Sequence, residues 1–273
     1  MNTQNIGFIG GGNMACSLLK GLIASGHPAQ QLWVSDTNPD TLSELASQLN
    51  INTSLDNLAI VDAADVIVLA VKPQVLKTVA QTLAVSVAAK KSLVVSIAAG
   101  ISQASLSSWL GEETAIVRCM PNTPAVVLTG ATGLHANDNV TDAQSDLAEN
   151  ILRSVGIALW VETEKELDAV TAVSGSGPAY YFLLMEAMEK AALEMGLNAN
   201  TAQLLVQQTA LGAAKIALES AESPENLRQR VTSPNGTTQK AIETFQAGGF
   251  IELVAKALHA AHDRVVELSQ QVD

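Results

Sequence analysis

The first half of the chain alternates short apolar runs with longer amphipathic stretches. Short apolar runs bounded by turn residues are typical of buried strands, and the stretches between them are typical of helices. The alternation therefore predicts an α/β fold, a Rossmann-like doubly wound parallel sheet with helices on both faces. The predicted strands are Asn5–Ile9, Leu32–Ser35, Val66–Val71, Leu93–Ile97 and Ile116–Cys119, and the predicted helices are Ser17–Ser25, Pro39–Leu49 and Gln74–Ala88.

The strand pattern ends near residue 164, and long helical stretches follow it. We expect two domains, one over residues 1–164 that contains the sheet and an all-helical one over residues 165–273. The predicted helices of the second domain are Ala169–Gly196, broken near its start by Ser174–Pro178, then Asn200–Glu222, and a last one within Gly248–Gln271.

The helix after Pro178 has hardly any polar face, because Tyr180 to Met195 is dominated by aromatic, Leu, Met and Ala side chains. A helix that is apolar all round must be buried on all sides, and so few helices cannot cover one another within a single chain. We therefore expect an obligate homodimer, or a larger homo-oligomer. The alternative is an unusually large monomeric bundle.

Composition narrows the class of protein. A net charge of −12 argues against nucleic acid as a partner, and no apolar run reaches the length of a membrane span. The N-terminal residues lack the basic region of a signal peptide. Two cysteines, Cys16 and Cys119, are expected to be free thiols. These features favour a soluble, cytoplasmic protein. His259 and His262 stand three residues apart without a third ligand motif nearby, so we assign no metal.

A glycine motif follows the first predicted strand, with the spacing G-x-G-x-x-A at Gly10, Gly12 and Ala15. In dinucleotide-binding folds the first glycine permits a tight turn, and the second lets the backbone approach a pyrophosphate. The small third residue lets helix and strand pack closely. The strand before the motif and the helix after it favour a dinucleotide site, so we expect residues 1–164 to form a dinucleotide-binding domain.

Small or polar residues end the other strands as well. They include Asp36 and the lone cation Lys72, which follows a very apolar run. An acid at the end of the second strand usually binds the ribose hydroxyls of NAD and repels the extra phosphate of NADP. No arginine stands in residues 35–40 to hold that phosphate, whereas Ser35, Thr37 and Asn38 offer neutral donors. The residues leave the choice of cofactor open.

A second candidate site is the loop Val231–Thr238, which runs into a predicted helix over Gln239–Gln246. Pro234 and Gly236 favour a turn, and Asn235 tolerates a left-handed backbone. The two threonines fall at the cap and first turn of the helix. Backbone N–H groups there lack intrahelical partners, so the loop can hold a carboxylate. We therefore expect residues 165–273 to form the helical dimerisation and substrate-binding domain. An ordinary capped turn is the alternative interpretation of the loop.

Taken together, these residues resemble the Δ1-pyrroline-5-carboxylate reductases over essentially the whole chain. The matching motifs are FIGGGNMA from Phe8, AVKPQ from Ala70, VVSIAAGI from Val94, RCMPNTP from Arg118, SGSGPAY from Ser174 and SPNGTT from Ser233. The last two are specific to that family. Asn235 stands where many relatives carry glycine.

The resemblance implies hydride transfer from NADPH, or NADH, to 1-pyrroline-5-carboxylate, giving L-proline. It implies a substrate carboxylate held by Ser233, Asn235, Gly236 and Thr237, and a hydroxyl of Thr238 that assists the imine nitrogen. The dinucleotide contacts that it implies are Ile9, Gly10, Gly12, Asn13, Met14, Ser35, Asn57, Ala70, Val71, Lys72, Pro73, Ala98 and Ala99. Ser35 is expected near the phosphate of NADPH.

Two other interpretations are weighed against this one. A 3-hydroxyacid dehydrogenase of the 6-phosphogluconate type would need a lysine on the helix after Ser174–Gly177, because alcohol oxidation requires a base. None occurs there before Lys190. A non-catalytic NADP-binding sensor would explain the crevice and the dimer, but not a second anion-binding loop with paired hydroxyls.

Overall fold

The computed structural model describes residues 4–270. Its strands are β1 (Ile6–Ile9), β2 (Leu32–Ser35), β3 (Asn52–Ser54), β4 (Val66–Leu69), β5 (Leu93–Ser96), β6 (Ile116–Met120), β7 (Gly130–Ala136) and β8 (Gly156–Trp160). Its helices are α1 (Asn13–Ala24), α2 (Pro39–Leu49), α3 (Asn57–Ala63), α4 (Pro73–Lys90), α5 (Gln103–Leu110), α6 (Asp142–Arg153), α7 (Glu166–Val170), α8 (Gly177–Glu194), α9 (Ala199–Glu219), α10 (Pro224–Arg230), α11 (Thr237–Ala247) and α12 (Phe250–Gln270). Short 3₁₀ turns lie at Ala29–Gln31 and Thr123–Val127, and a π-helical turn at Thr171–Gly175.

The strands form one eight-stranded sheet in the order β3-β2-β1-β4-β5-β6-β7-β8. Neighbouring strands are parallel except β6 and β7, which are antiparallel. After β1 the chain builds outwards through β2 and β3, then returns to place β4 on the other side of β1. The order of the strands therefore reverses between β1 and β4, and this is the point where such sheets bind ligands.

Alternate residues of the central strands enter two separate cores. Val66 and Val68 of β4 pack in the core that contains α1, α2 and α6, whereas Ile67 and Leu69 pack with α3, α4 and α5. All four are fully buried. Burying one such side chain contributes about 1.5–3 kcal/mol, so both faces of the sheet must be covered by helices. The doubly wound arrangement predicted from the sequence is confirmed.

The predicted strands and helices of the first half are present, with ends that differ by a few residues. The sequence pattern missed β3, β7 and β8, and helices α3, α5 and α6. These strands are weak signals, because β3 is Asn52-Thr53-Ser54 and both β7 and β8 begin with glycine. The predicted break near Ser174 is also present, as the π-helical turn before α8.

The chain divides into two compact units, one reaching Ser176 and including the residues from Ala261 on, the other Gly177–Ala260. The domain boundary that the sequence places after residue 164 remains a proposal. Within the second unit, α8 and α9 leave large apolar side chains uncovered, among them Phe182 at 64% and Leu183 at 66% exposure. No helix within residues 4–270 has the length and apolar character needed to cross a membrane.

Candidate functional site

The carboxyl ends of five neighbouring strands meet along one edge of the sheet. The register pairs Ile9 of β1 with Ser35 of β2 and with Leu69 of β4. Leu69 is in turn paired with Ser96 of β5, and Ser35 with Ser54 of β3. The segments that follow these strands therefore lie side by side, and four of the five carry residues that the sequence predicted to bind the dinucleotide. Those segments are Gly10–Met14, Leu55–Asn57, Ala70–Pro73 and Ile97–Ala99.

Glycine is needed at the two motif positions of this edge for different structural reasons. Gly10 has φ +104°, and a Cβ there would lie 2.8 Å from the carbonyl oxygen of Ala70. Only glycine fits that position, because β1 and the segment after β4 approach so closely. Gly12 is exposed, and a Cβ there would meet nothing within 4 Å. The space in front of Gly12 is thus free for a bulky ligand group, as binding of a pyrophosphate by the backbone requires.

Several helices begin with a side-chain cap. In α2, α3, α5 and α6 a side chain caps the first turn: Asn38, Asp56, Ser102 and Thr141 accept hydrogen bonds from backbone N–H groups. The same holds for α9 and α10, which Asn198 and Ser223 cap.

The helices α1, α4 and α11 begin without a side-chain cap, after Gly12, Lys72 and Gly236 respectively. The five-residue α7 also lacks one, but its cap residue Lys165 is itself helical. The first N–H groups of an uncapped helix lack partners, and the helix dipole makes the position favourable for an anion. The starts of α1 and α11 coincide with the segments that the sequence predicted to contact a pyrophosphate and a carboxylate, and the start of α4 lies in a segment that the resemblance assigned to the dinucleotide.

Lys72 is exposed at the start of α4. A cation at the N-terminus of a helix is opposed by the helix dipole, so a lysine there does not stabilise the fold. It does supply positive charge at the edge where a dinucleotide phosphate would lie. Asn57 opens α3 and is half-buried at the same edge, and Ala99 is exposed after β5.

Asp36 anchors the glycine loop. Its Oδ2 accepts a hydrogen bond from the backbone N–H of Gly11 at 2.8 Å, and its Oδ1 accepts one from Asn38 at 2.9 Å. The carboxylate is therefore directed at the backbone of the site and holds the loop after β1 against the turn after β2. This role was not predicted from the sequence, which assigned Asp36 only to cofactor choice.

The hydroxyl of Ser35 does not face the edge. Ser35 is fully buried, and its Oγ donates to the carbonyl of Phe8 at 3.4 Å. Its backbone carbonyl accepts from Gly10. The hydroxyl therefore faces the backbone of β1, and its expected position near the NADPH phosphate stays a prediction. Thr37 and Asn38 are exposed on the turn that follows.

The loop Ser233–Thr238 belongs to the second compact unit. Asn235 has φ +60°, as the sequence predicted for a left-handed position. The N–H of Gly236 donates to the carbonyl of Ser233 at 3.0 Å, which closes the turn. Gly236 is the cap residue, so Thr237 and Thr238 both lie in the first turn of α11, rather than one at the cap. Both threonines are exposed.

Gln239 stabilises the loop and was missed at the sequence level. Its Oε1 accepts from the N–H of Asn235 at 2.7 Å, while its Nε2 donates to Glu243. The spacing offered a signal, because a glutamine three residues after a cap residue often bonds back to the backbone before the helix. In a capping box this bond would come from the cap residue Gly236, whereas here it comes from Asn235, one residue earlier. The N–H groups of the first turn of α11 are therefore left for a ligand.

Other reactive groups do not form a competing site. Within residues 4–270, no three His, Cys, Asp or Glu side chains are grouped so that they could hold a metal ion. Cys16 and Cys119 are free, and burial raises the pKa of the Cys119 thiol far above its ordinary value. This thiol therefore stays neutral and cannot act as a nucleophile.

Two family models match the chain. One, described as pyrroline-5-carboxylate reductase dimerisation, matches residues 164–268. The other, described as NADP oxidoreductase, coenzyme F420-dependent, matches residues 5–100. The first model contains the uncapped start of α11, and the second contains the uncapped starts of α1 and α4.

Curated relatives extend over the full length of the chain. A pyrroline-5-carboxylate reductase of Pseudomonas aeruginosa is 53% identical over 272 residues, covering 100% of this chain and 99% of the relative. One of Escherichia coli is 39% identical over 268 residues, covering 98% and 99%.

Solved structures resemble the whole fold. A pyrroline-5-carboxylate reductase from Coxiella burnetii has a TM-score of 0.95 at 47% identity, covering 98% of this chain and 99% of that one. The Plasmodium falciparum pyrroline carboxylate reductase with NADP bound has a TM-score of 0.87 at 27% identity, with coverages of 98% and 99%. Prephenate dehydrogenase from Aquifex aeolicus, with a TM-score of 0.54 and 19% identity over 98% of this chain and 97% of that one, shares the fold alone.

We expect Asp36→Asn to raise the ratio of kcat/KM for NADPH to that for NADH. The substitution removes a negative charge beside the turn where the ribose of the cofactor is expected. A change of about fivefold would correspond to roughly 1 kcal/mol of repulsion between unit charges a few ångströms apart in water. Steady-state kinetics with both cofactors measure the ratio.

Asp40→Asn is the matched control, because Asp40 lies in the first turn of α2 but its carboxylate does not bond to Gly11. An unchanged ratio in Asp36→Asn, with a lowered melting temperature, would show that Asp36 only anchors the glycine loop. Equal ratios in the two variants would show that distant charge alone sets the preference.

Proposed function

The chain belongs to the pyrroline-5-carboxylate reductase family, and we propose that it reduces 1-pyrroline-5-carboxylate to L-proline with a hydride from NADPH, the last step of proline biosynthesis. The observation that carries this proposal is the match to a named reductase over the entire chain at 53% identity. The enzyme is an NAD(P)H-dependent imine reductase.

The first compact unit fits a dinucleotide. The free space before Gly12, the uncapped N–H groups of α1 and the cation of Lys72 together suit a pyrophosphate. When bound, the nicotinamide supplies the hydride. The protein's part is to hold the dinucleotide along the edge formed by the segments after β1, β3, β4 and β5. Gly10–Met14 and Ala70–Pro73 are assigned to the phosphates, and Asn57, Ala98 and Ala99 to the rest of the cofactor.

The second unit supplies the substrate loop. A pyrroline-5-carboxylate anion carries one carboxylate and one ring imine, and the start of α11 offers partners for both. The backbone of Ser233–Thr237 and the uncapped first turn are assigned to the carboxylate. Asn235 and Gln239 keep this backbone in the conformation that leaves those N–H groups available.

Thr238 is assigned to the imine nitrogen. Reduction places a hydride on the ring carbon and requires a proton on nitrogen, and the exposed hydroxyl of Thr238 can donate that proton and recover one from water. A strong acid is unnecessary, because the product is a basic amine. Much of the rate enhancement can come from orientation, since holding two reactants in place contributes roughly 7–11 kcal/mol.

Activity measurements separate this function from its alternatives. We expect the protein to consume NADPH with pyrroline-5-carboxylate and to form L-proline, and to leave 3-hydroxyisobutyrate unoxidised with either cofactor. A hydroxyacid dehydrogenase would show the reverse result, and an NADP-binding sensor would show neither reaction. The helix after Ser174–Gly177 carries no lysine before Lys190, so no base for alcohol oxidation is present there.

We expect Thr238→Ala to lower kcat by about 10²–10⁴-fold, the usual contribution of a general acid or base. The dissociation constant for NADPH should change little, because Thr238 lies outside the segments assigned to the dinucleotide. Thr244→Ala, in the same helix, is the control: its hydroxyl donates to the carbonyl of Lys240. If kcat of the Thr238→Ala variant lay within twofold of the wild-type value, the assignment of Thr238 as the proton donor would be wrong.

We further propose that the enzyme is a homodimer, or a larger homo-oligomer built from dimers. The dimerisation family model spans the region where α8 and α9 expose Tyr181, Phe182, Leu183, Leu205 and Leu211. Obligate interfaces of this apolar character bury about 2,000 Å² or more. Two free cysteines support a reducing compartment, and we place the enzyme in the cytoplasm. The net charge of −12 supports the absence of a nucleic-acid partner.

We expect Phe182→Glu to dissociate the dimer and to lower turnover with it, because an obligate dimer often has no stable folded monomer. Phe182 is 64% exposed in the single chain, so the charge should be tolerated unless a partner covers it. Val85→Glu is the matched control, since Val85 is 83% exposed on α4 of the first unit. Light scattering alongside activity provides the measurement. A monomeric and fully active Phe182→Glu variant would contradict the proposal.

A further inference from the structure

Two motifs of the sequence have no role in the binding sites above, and in the structure they contact each other. They are RCMPNTP from Arg118 and SGSGPAY from Ser174. The side-chain Nδ2 of Asn122, just after β6, donates a hydrogen bond to the backbone carbonyl of Ser174 at 3.0 Å. Fifty-two residues separate the two along the chain. The contact is therefore a tertiary one, made where the first unit continues into α8.

The sequence explains why the carbonyl of Ser174 lacks the hydrogen-bond donor that a helix would normally provide. In a regular α-helix it would accept from the N–H of the residue four positions later. That residue is Pro178, which has no N–H. The backbone passes this point through a π-helical turn, in which the N–H of Ser176 donates to Thr171 at 2.8 Å. Asn122 thus supplies a donor that proline cannot provide.

The amide of Asn122 is held in one orientation. Its Oδ1 accepts from the backbone N–H of Ala131 in β7 at 2.9 Å, so its Nδ2 is the group that faces Ser174. Asn122 is 8% exposed. A buried amide bonded at both ends is costly to disturb, because each lost bond leaves a polar group without a partner.

Two residues of β6 also contact the segment that contains Ser174. Arg118 is buried, and its guanidinium lies 2.8 Å from Glu164 and 3.7 Å from Asp168 of α7. Met120 packs against Gly175, where a Cβ would lie 2.6 Å from the methionine methyl group. Arg118, Met120 and Asn122 occupy every second position of the chain, as residues on one face of a strand do. This face therefore contacts residues 164–175 at several points.

We propose that Asn122 is a positioning residue for the reduction, which it serves by holding the π-helical turn Thr171–Gly175 in the conformation from which α8 begins. The proposal rests on the proposed function, because its effect is measured in turnover. The helical region that follows carries Thr238, and a misplacement of about 1 Å far from the reacting atoms can cost 10²-fold in rate. Asn122 itself is assigned no contact with substrate or cofactor.

The test compares Asn122→Asp with Asn137→Asp. Asn137 makes the same pair of bonds at the other end of β6: its Oδ1 accepts from Ile116 at 3.0 Å and its Nδ2 donates to Thr114 at 2.9 Å. Each aspartate keeps the acceptor and loses the donor. We expect Asn122→Asp to lower kcat by about 10- to 100-fold with KM for NADPH within about threefold. Asn137→Asp should keep kcat within about twofold, because the β6 end that it joins is remote from the π-helical turn.

A second pair of variants avoids the added charge. Asn122→Ala should also lower kcat, and Pro178→Ala in that background should recover part of it, since alanine restores a backbone N–H four residues after Ser174. Wild-type activity with pyrroline-5-carboxylate is measured first, so that a failure of the proposed function is seen separately. Three outcomes would overturn the positioning role: equal kcat in the two aspartate variants, a raised KM for NADPH with unchanged kcat in Asn122→Asp, or no recovery by Pro178→Ala.

Discussion

The first N–H groups of an α-helix have no acceptors within the helix, and a protein must provide acceptors from elsewhere. Here α2, α3, α5, α6, α9 and α10 obtain them from side chains, whereas α1, α4 and α11 do not. The uncapped starts of α1, α4 and α11 stand at the positions that we assign to the phosphates of the dinucleotide and to the carboxylate of the substrate. Ligand oxygens would accept hydrogen bonds from the unpaired N–H groups of these helices. The unpaired groups therefore make the free protein slightly less stable and also give it affinity for anions.

Much of the first half could be predicted from the sequence, because its central strands are buried on both faces and appear as continuous apolar runs. Val66–Leu69 and Leu93–Ser96 are examples. The short β3 could not be predicted in this way, since its polar residues are half-buried at the edge of the sheet. The antiparallel pairing of β6 with β7 could not be predicted from the sequence pattern either. The direction of a strand depends on the connection that precedes it, and not on the local preference of its residues.

The backbone conformation at the candidate site was predicted from the sequence more successfully than the contacts of its side chains. Gly10 and Asn235 have the positive φ angles that their motifs require. Ser35 was expected near the phosphate of NADPH, and its buried hydroxyl donates to the carbonyl of Phe8. Asp36 proved to bind the backbone of Gly11. Such contacts join segments that are distant in sequence, and neither periodicity nor spacing reports on them.

The central claim is that backbone N–H groups at uncapped helix starts hold the anionic groups of both ligands. A crystal structure of the protein with NADP and L-proline would test it most directly. The account predicts carboxylate oxygens of proline within about 3.2 Å of backbone N–H groups in the first turn of α11, and pyrophosphate oxygens at the same distance from those of α1. A carboxylate bound by other residues, with the first turn of α11 facing only solvent, would contradict it.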